Sequence, residues 1–204
     1  NLLYALASSI QINPSGVSFN RCIHSSKIYL SKGRLKIPAG YKSKDTAMTD
    51  FTVWETAPFG ATIDHILQRY HNVHRAQFEE LVPLAQKVAE VHADSFPAEV
   101  PELLAYMQNE LLMHMMKEER MLFPMIKQGV GRGAAMPISV MMHEHEEHDQ
   151  AVARLLELTD NLTVPENACG SWTRLYTLAR ELVDDLTDHI HLENEILFQR
   201  VLAS

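Results

Sequence analysis

Apolar residues recur at intervals of three and four along four long stretches, and the intervals break only where proline and glycine cluster. The first stretch opens at Pro58, with Thr56 as a candidate cap, and carries Ile63, Ile66, Leu67, Tyr70, Val73, Phe78, Leu81 and Val88 to about His92. Pro83 lies inside it and predicts a bend rather than an end. Asp94 to Pro101 reads as a connection, after which Leu104, Met107, Leu111, Met115, Leu122 and Met125 form the second stripe, stopped after Gln128 by Gly129, Gly131 and Gly133. The third stretch begins at Pro137 and runs through Met141, Val152, Leu155 and Leu156 to about Asn161. The fourth follows Pro165 and Glu166 and carries Leu178, Leu182, Leu186, Ile190 and Leu197 to about Val201. This period is that of amphipathic helices, and no two-residue alternation competes with it. Four helices of roughly 24 to 36 residues with short connections predict an all-α chain, an antiparallel up-down four-helix bundle.

Composition narrows the picture. The 204 residues, 46% apolar and 22% charged, suffice for one domain with a sizeable core. No run approaches the roughly 18 consecutive apolar residues of a membrane-spanning helix. Two cysteines, Cys22 and Cys169, cannot form a disulfide framework or a thiolate zinc site and suit a cytoplasmic protein. Seven Lys or Arg and no acid precede Asp45, which leaves 11 basic against 26 acidic residues in the rest of the chain. An acidic body excludes nucleic acid as its partner. Residues 1–53 are therefore expected to be a basic, irregular or non-native extension, with Met48 a candidate start, and residues 54–204 the folded domain. Organellar transit peptides, linkers and translated upstream sequence share that basic composition.

The apolar stripes are interrupted by residues that resist burial. The counts of His and Glu, 11 and 17, give about one His-x-x-x-Glu pair by chance, and the chain has four. His114/Glu118 and His189/Glu193 lie on or beside buried stripes; His143/Glu147 and His191/Glu195 fall about 200° away, toward solvent. Residues four apart share a helix face, so each of the first two pairs points one way. At about 1.5 Å rise per residue, His71, His114, His145 and His189 lie between about 20 and 33 Å from one bundle end. Allowing for staggered helix ends, one site could gather all four with Glu118 and Glu193. His92, at that end, fits poorly, and His74 and His148, each one turn from a candidate, are the substitutes. Such a set exceeds one tetrahedral zinc and lacks structural thiolates. It fits a pair of iron or manganese ions. Glu-x-x-His, the ferritin-like signature, is absent.

Several segments carry a resemblance. Ile63-Asp64-His65-Ile66 with Arg69-Tyr70-His71, His114-Met115-Met116-Lys117-Glu118-Glu119 with Leu122 to Gly129, Pro137 to Met141, and Asp184-Asp185-Leu186 with Asp188-His189 and Leu192-Glu193-Asn194 are similar to the hemerythrin-like domain of the iron-sulfur cluster repair di-iron proteins, the RIC or YtfE family. The resemblance spans about Trp54 to Ala203. It implies a hemerythrin-like bundle holding two non-haem iron ions, oxo- or hydroxo-bridged, with His71, His114, His145 and His189 as terminal ligands and Glu118 and Glu193 as bridges. It further implies second-shell or channel roles for Glu110 and Glu144. Family members usually carry a short N-terminal domain with adjacent cysteines, which residues 1–53 do not match. Hemerythrins proper place a further His four residues after the third-helix ligand, where this chain has Asp149.

The expected function is then repair of iron-sulfur clusters damaged by nitric oxide or oxidative stress, by iron donation or by nitric oxide chemistry at the di-iron site. Expected partners are damaged iron-sulfur proteins, with nitric oxide or dioxygen as small ligands, for a monomer or homodimer. A hemerythrin-like module that binds or senses dioxygen or nitric oxide without turnover is the alternative, and a purely structural bundle a third. The last must explain why titratable groups line its core.

Overall fold

The computed structural model describes residues 49–204. Four helical rods fold back on one another, and three are interrupted by a turn of π-helix. The first rod is α1 (Phe59–Ile66), a π turn (Leu67–His71) and α2 (Asn72–Val91). The second is α3 (Val100–Lys117), a π turn (Glu118–Leu122) and α4 (Phe123–Lys127). The third, α5 (Ala135–Leu158), has no interruption and follows a 3-10 turn, Gly131–Ala134. The fourth is α6 (Gly170–His191), a π turn (Leu192–Leu197) and α7 (Phe198–Ala203). α2 packs against α3 and α6, and α5 packs against α3. Among the described residues there is no strand, and no helix is long and apolar enough to cross a membrane.

The boundaries follow local chemistry. Pro58 precedes α1 in extended backbone, whereas Thr56, the expected cap, closes a short 3-10 turn (Thr52–Glu55) instead. α2 runs on through Pro83, whose ring faces solvent. The second rod ends in a paired hydrogen-bond stop, Gly129 N to Ile126 O and Val130 N to Met125 O, with Gly129 at φ +75°. That left-handed position is where glycine costs least. The third rod ends without glycine: Asp160, Asn161 and Leu162 have φ of +48°, +57° and +57°. Leu162 is buried, its N–H reaches Thr159 Oγ1, and Arg180 donates to the carbonyls of Asn161 and Leu162. Core burial and a cationic donor thus hold a backbone that L-residues rarely adopt. The fourth rod starts at Gly170, later than Pro165 suggested, because residues 163–169 form the connection.

Two apolar clusters fill the bundle. One joins Phe78, Leu81, Leu104, Leu111, Met115, Leu155, Leu182 and Leu186 with their neighbours; the other joins Ile63, Ile66, Tyr70, Leu122, Phe123, Met141, Leu197 and Phe198. On the first three rods the change from one cluster to the other spans His71, Glu118 and His145, and on the fourth it falls between Ile190 and Leu192, which His189 and Glu193 flank. The fold is therefore two hydrophobic cores with a polar layer between them. Each fully buried Leu, Ile or Phe contributes roughly 1.5 to 3 kcal/mol, enough to tolerate one such layer.

Residues 49–53, inside the expected extension, pack on the domain: Phe51 lies 4.9 Å from the His191 ring and Thr49 hydrogen-bonds Asp188. The rest of the expected extension lies outside the described residues. Arg200 pins the segment, donating to the carbonyls of Trp54 and Ala57 at 2.7 Å each while its guanidinium sits over the Phe59 ring. Arg200→Ala is expected to lower unfolding free energy by about 1 to 3 kcal/mol and to raise amide exchange selectively in residues 49–58. Urea unfolding and hydrogen-exchange mass spectrometry measure the two effects.

Candidate metal centre

The polar layer is built from side chains that helical spacing aims inward. His114 and Glu118 leave the second rod four residues apart; His189 and Glu193 leave the fourth in the same way. His71 is the last residue of the first rod's π turn, and His145 stands in the uninterrupted α5. All six are at most 1% exposed. Their donor atoms form two groups, His71, Glu118, His189, Glu193 and His114, Glu118, His145, Glu193, each with atoms within 4.8 Å of one another. Both carboxylates belong to both groups.

The outer nitrogens of three rings are engaged. His71 Nδ1 donates to Glu119 Oε1 at 2.8 Å, and Arg75 donates to the same oxygen at 2.6 Å. His114 Nδ1 donates to Glu144 Oε2 at 2.9 Å, with Lys117 bound to the second oxygen. His145 Nδ1 donates to Oδ1 of the buried Asn194 at 2.8 Å. A neutral imidazole that gives its proton from Nδ1 presents a bare lone pair at Nε2. Burial, above all, keeps two of these rings neutral, pulling His71 and His114 from 6.5 down to about 4.

On these three rings what faces inward is therefore an acceptor. The Nε2 atoms of His114 and His145 lie 3.0 Å apart. His71 Nε2 is 3.3 Å from Glu118, and His145 and His189 Nε2 are each 3.2 Å from Glu193. Both oxygens of Glu118 and of Glu193, with Nε2 of His71 and His189, are buried without a hydrogen-bond partner among the described residues. Leaving such groups unpaired costs several kcal/mol. Burial and the charge of Glu193 push the Glu118 carboxyl well above its usual range. Cations placed between the lone pairs remove the conflict, and imidazole with carboxylate, without thiolate, suits iron, manganese or zinc. The residues present fit two metal ions.

The remaining expected residues are placed as follows. Glu144 is the partner of His114. Glu110 is exposed and lines a cavity of about 50 Å³ with Tyr106, Lys117, Glu144, Glu147 and His148. His148 is buried, its ring edge-on to His114 at 5.0 Å, and burial lowers it to about 3. His74 is fully buried. Its ring lies 5.3 Å from His189 and its Nδ1 pairs with Gln77 at 3.0 Å. Both stand outside the two ligand groups. His92 caps the far end of α2 beside Trp172, also outside them. Asp149 is partly buried one turn beyond His145, in neither group, with burial lifting its carboxyl to about 6. Glu119, Asn194 and Tyr70 were not singled out from the sequence as site residues. The available signal was position: Glu119 and Asn194 each directly follow a shared glutamate, within a π turn.

Comparison with known proteins finds a family match and close relatives. Residues 62–201 match the Hemerythrin HHE cation binding domain. The chain is 82% identical over 157 residues to the iron-sulfur cluster repair protein DnrN of Neisseria gonorrhoeae, covering 77% of this chain and all of that protein. It is 49% identical over 152 residues to the iron-sulfur cluster repair protein YtfE of Escherichia coli, covering 74% of this chain and 69% of that protein.

The charge balance predicts how the metal-free chain responds to acid. His71, His74, His114 and His148 titrate lower when folded than the usual 6.5, so the unfolded chain binds more protons from about pH 6.5 downward. Their contribution to stability is complete above that value and is lost as pH falls toward their folded-state range. Glu118 and Asp149, both pushed up by burial, act in the opposite sense. Four imidazoles outweigh two carboxyls. Unfolding free energy of the metal-free chain is expected to be lower at about pH 5 than at about pH 7.5 by at least about 2 kcal/mol, with the difference reduced in His148→Leu. Urea titrations at the two pH values measure it.

Proposed function

Because the chain belongs to the hemerythrin HHE cation-binding family, we propose that it is an iron-sulfur cluster repair protein that holds two iron ions between its four rods. The observation that carries this reading is the sharing of Glu118 and Glu193 by two adjacent His/Glu groups. In this assignment His71 and His189 would hold one ion and His114 and His145 the other, with Glu118 and Glu193 available to both. The relatives' names supply the repair role, and the donor set supports iron.

Bound iron would supply positions for small ligands such as nitric oxide or dioxygen, and ferrous iron is itself the cargo a damaged cluster needs. The chain's own residues do the rest. Burial keeps the His71 and His114 imidazoles neutral, so they bind metal without first losing a proton. Glu119, Glu144 and Asn194 hold three rings so that Nε2 faces inward. Two carboxylates offset part of the charge of two adjacent cations. The apolar clusters above and below exclude bulk water, and two residues that line the cavity, Glu144 and His148, touch the His114 ring. Asp149, in the place where an oxygen carrier has a further imidazole, stays outside both groups, which supports release of iron over stable dioxygen carriage.

Protein expressed with ample iron is expected to hold two iron ions per chain and to restore activity to a nitrosylated iron-sulfur enzyme in a mixed assay. Glu118→Ala and Glu193→Ala should each disturb both ions and reduce iron content more than loss of one histidine does. Elemental analysis and Mössbauer spectroscopy read the content and pairing. One zinc per chain, or a loaded protein that revives no cluster, would remove the proposal.

A further inference from the structure

The two ligand groups share their carboxylates but differ in what stands behind their imidazoles. In the His114/His145 group both outer nitrogens are fixed, one by the Glu144 carboxylate that Lys117 restrains and one by buried Asn194. Both rings also project from regular α-helix. In the His71/His189 group only His71 is fixed, by Glu119 and Arg75. That pair is about one-third exposed, and His71 itself ends a π turn. His189 Nδ1 is buried with no hydrogen-bond partner among the described residues. Its ring is held by stacking instead, parallel to Tyr70 within 4° at 5.1 Å and against His74 at 5.3 Å.

Stacking restrains the plane of a ring but neither selects its tautomer nor raises the basicity of Nε2. An acceptor at Nδ1 does both, and losing one typically weakens a metal site 10- to 100-fold. We infer that the two metal positions are unequal, the His71/His189 position being the weaker, first emptied and last filled, with Glu119 and Arg75 as the residues that set its affinity. This rests on the two-ion reading above. It gives the shared-carboxylate site a division of labour: an ion retained at His114/His145, beside the cavity, and an ion surrendered at His71/His189, behind a surface ion pair that can open.

The test uses the full chain and cobalt(II), which resists oxidation and reports its ligands by visible absorption, in competition with a chelator. Two removal steps are expected, separated by about 10-fold or more in chelator concentration. Glu119→Gln should shift only the weaker step, by about 10-fold, and Asn194→Ala only the tighter one. Arg75→Gln, at a partly exposed position, should reproduce the Glu119→Gln effect more mildly and keeps the test available should the first variant fold poorly. Removal of both ions in a single step, or a shift of the tighter step in Glu119→Gln and Arg75→Gln, would overturn the inference while leaving the two-ion reading intact. A chain that takes up fewer than two cobalt ions would instead defeat the two-ion reading itself.

Discussion

Two carboxyl groups and four imidazoles lie in a layer from which water is excluded, three of the rings with their Nε2 lone pairs turned inward. Nothing else in the described structure is so unfavourable without a counter-charge. Much of the architecture can be understood as a response to it. Apolar clusters on both sides keep the layer dry, which strengthens any cation–ligand attraction there and equally raises the cost of leaving the ligands bare. The outer nitrogens of three rings are tied to Glu119, Glu144 and Asn194, so that orientation is settled before any ion arrives. Arg75 and Lys117 hold the two carboxylates of that outer ring in turn. Order runs from the surface inward.

The π turns belong to the same response. They carry His71, Glu118 and Glu193, and they bring the residues after the shared glutamates, Glu119 and Asn194, into contact with His71 and His145 on other rods. A turn with one extra residue relaxes regular helical hydrogen bonding, and such turns recur at functional sites because they let neighbouring residues serve different partners. The uninterrupted α5 contributes His145 with a fixed backbone. Regular and irregular helix thus meet at one layer.

The apolar period marked all four helices, because a core-facing stripe must recur with the helical turn whatever the neighbours are. It passed over the π turns, since one extra residue in a long amphipathic helix leaves the local spacing of three and four nearly unchanged. The helix starts suggested by Thr56 and Pro165 differ from those observed because capping and the connection at 163–169 depend on how the rods meet. The three left-handed residues at Asp160 to Leu162 had no sequence mark either: their conformation is held by Arg180 and by burial of Leu162, both contacts across the fold.

For the site, the sequence alone determined that His114 with Glu118, and His189 with Glu193, share a helix face, because i and i+4 are neighbours on any α-helix. It also determined a donor set of nitrogen and oxygen without thiolate. It could not choose between His71 and His74, or between His145 and His148, since residues three apart lie on nearly the same face and both members of each pair are buried. That choice depends on the rotation of each rod about its axis and on the π turn that ends at His71. The outer partners were hidden for a related reason: Glu119 and Asn194 serve histidines on other rods, 48 and 49 residues away in the chain. Distances of that kind are set only when the rods pack.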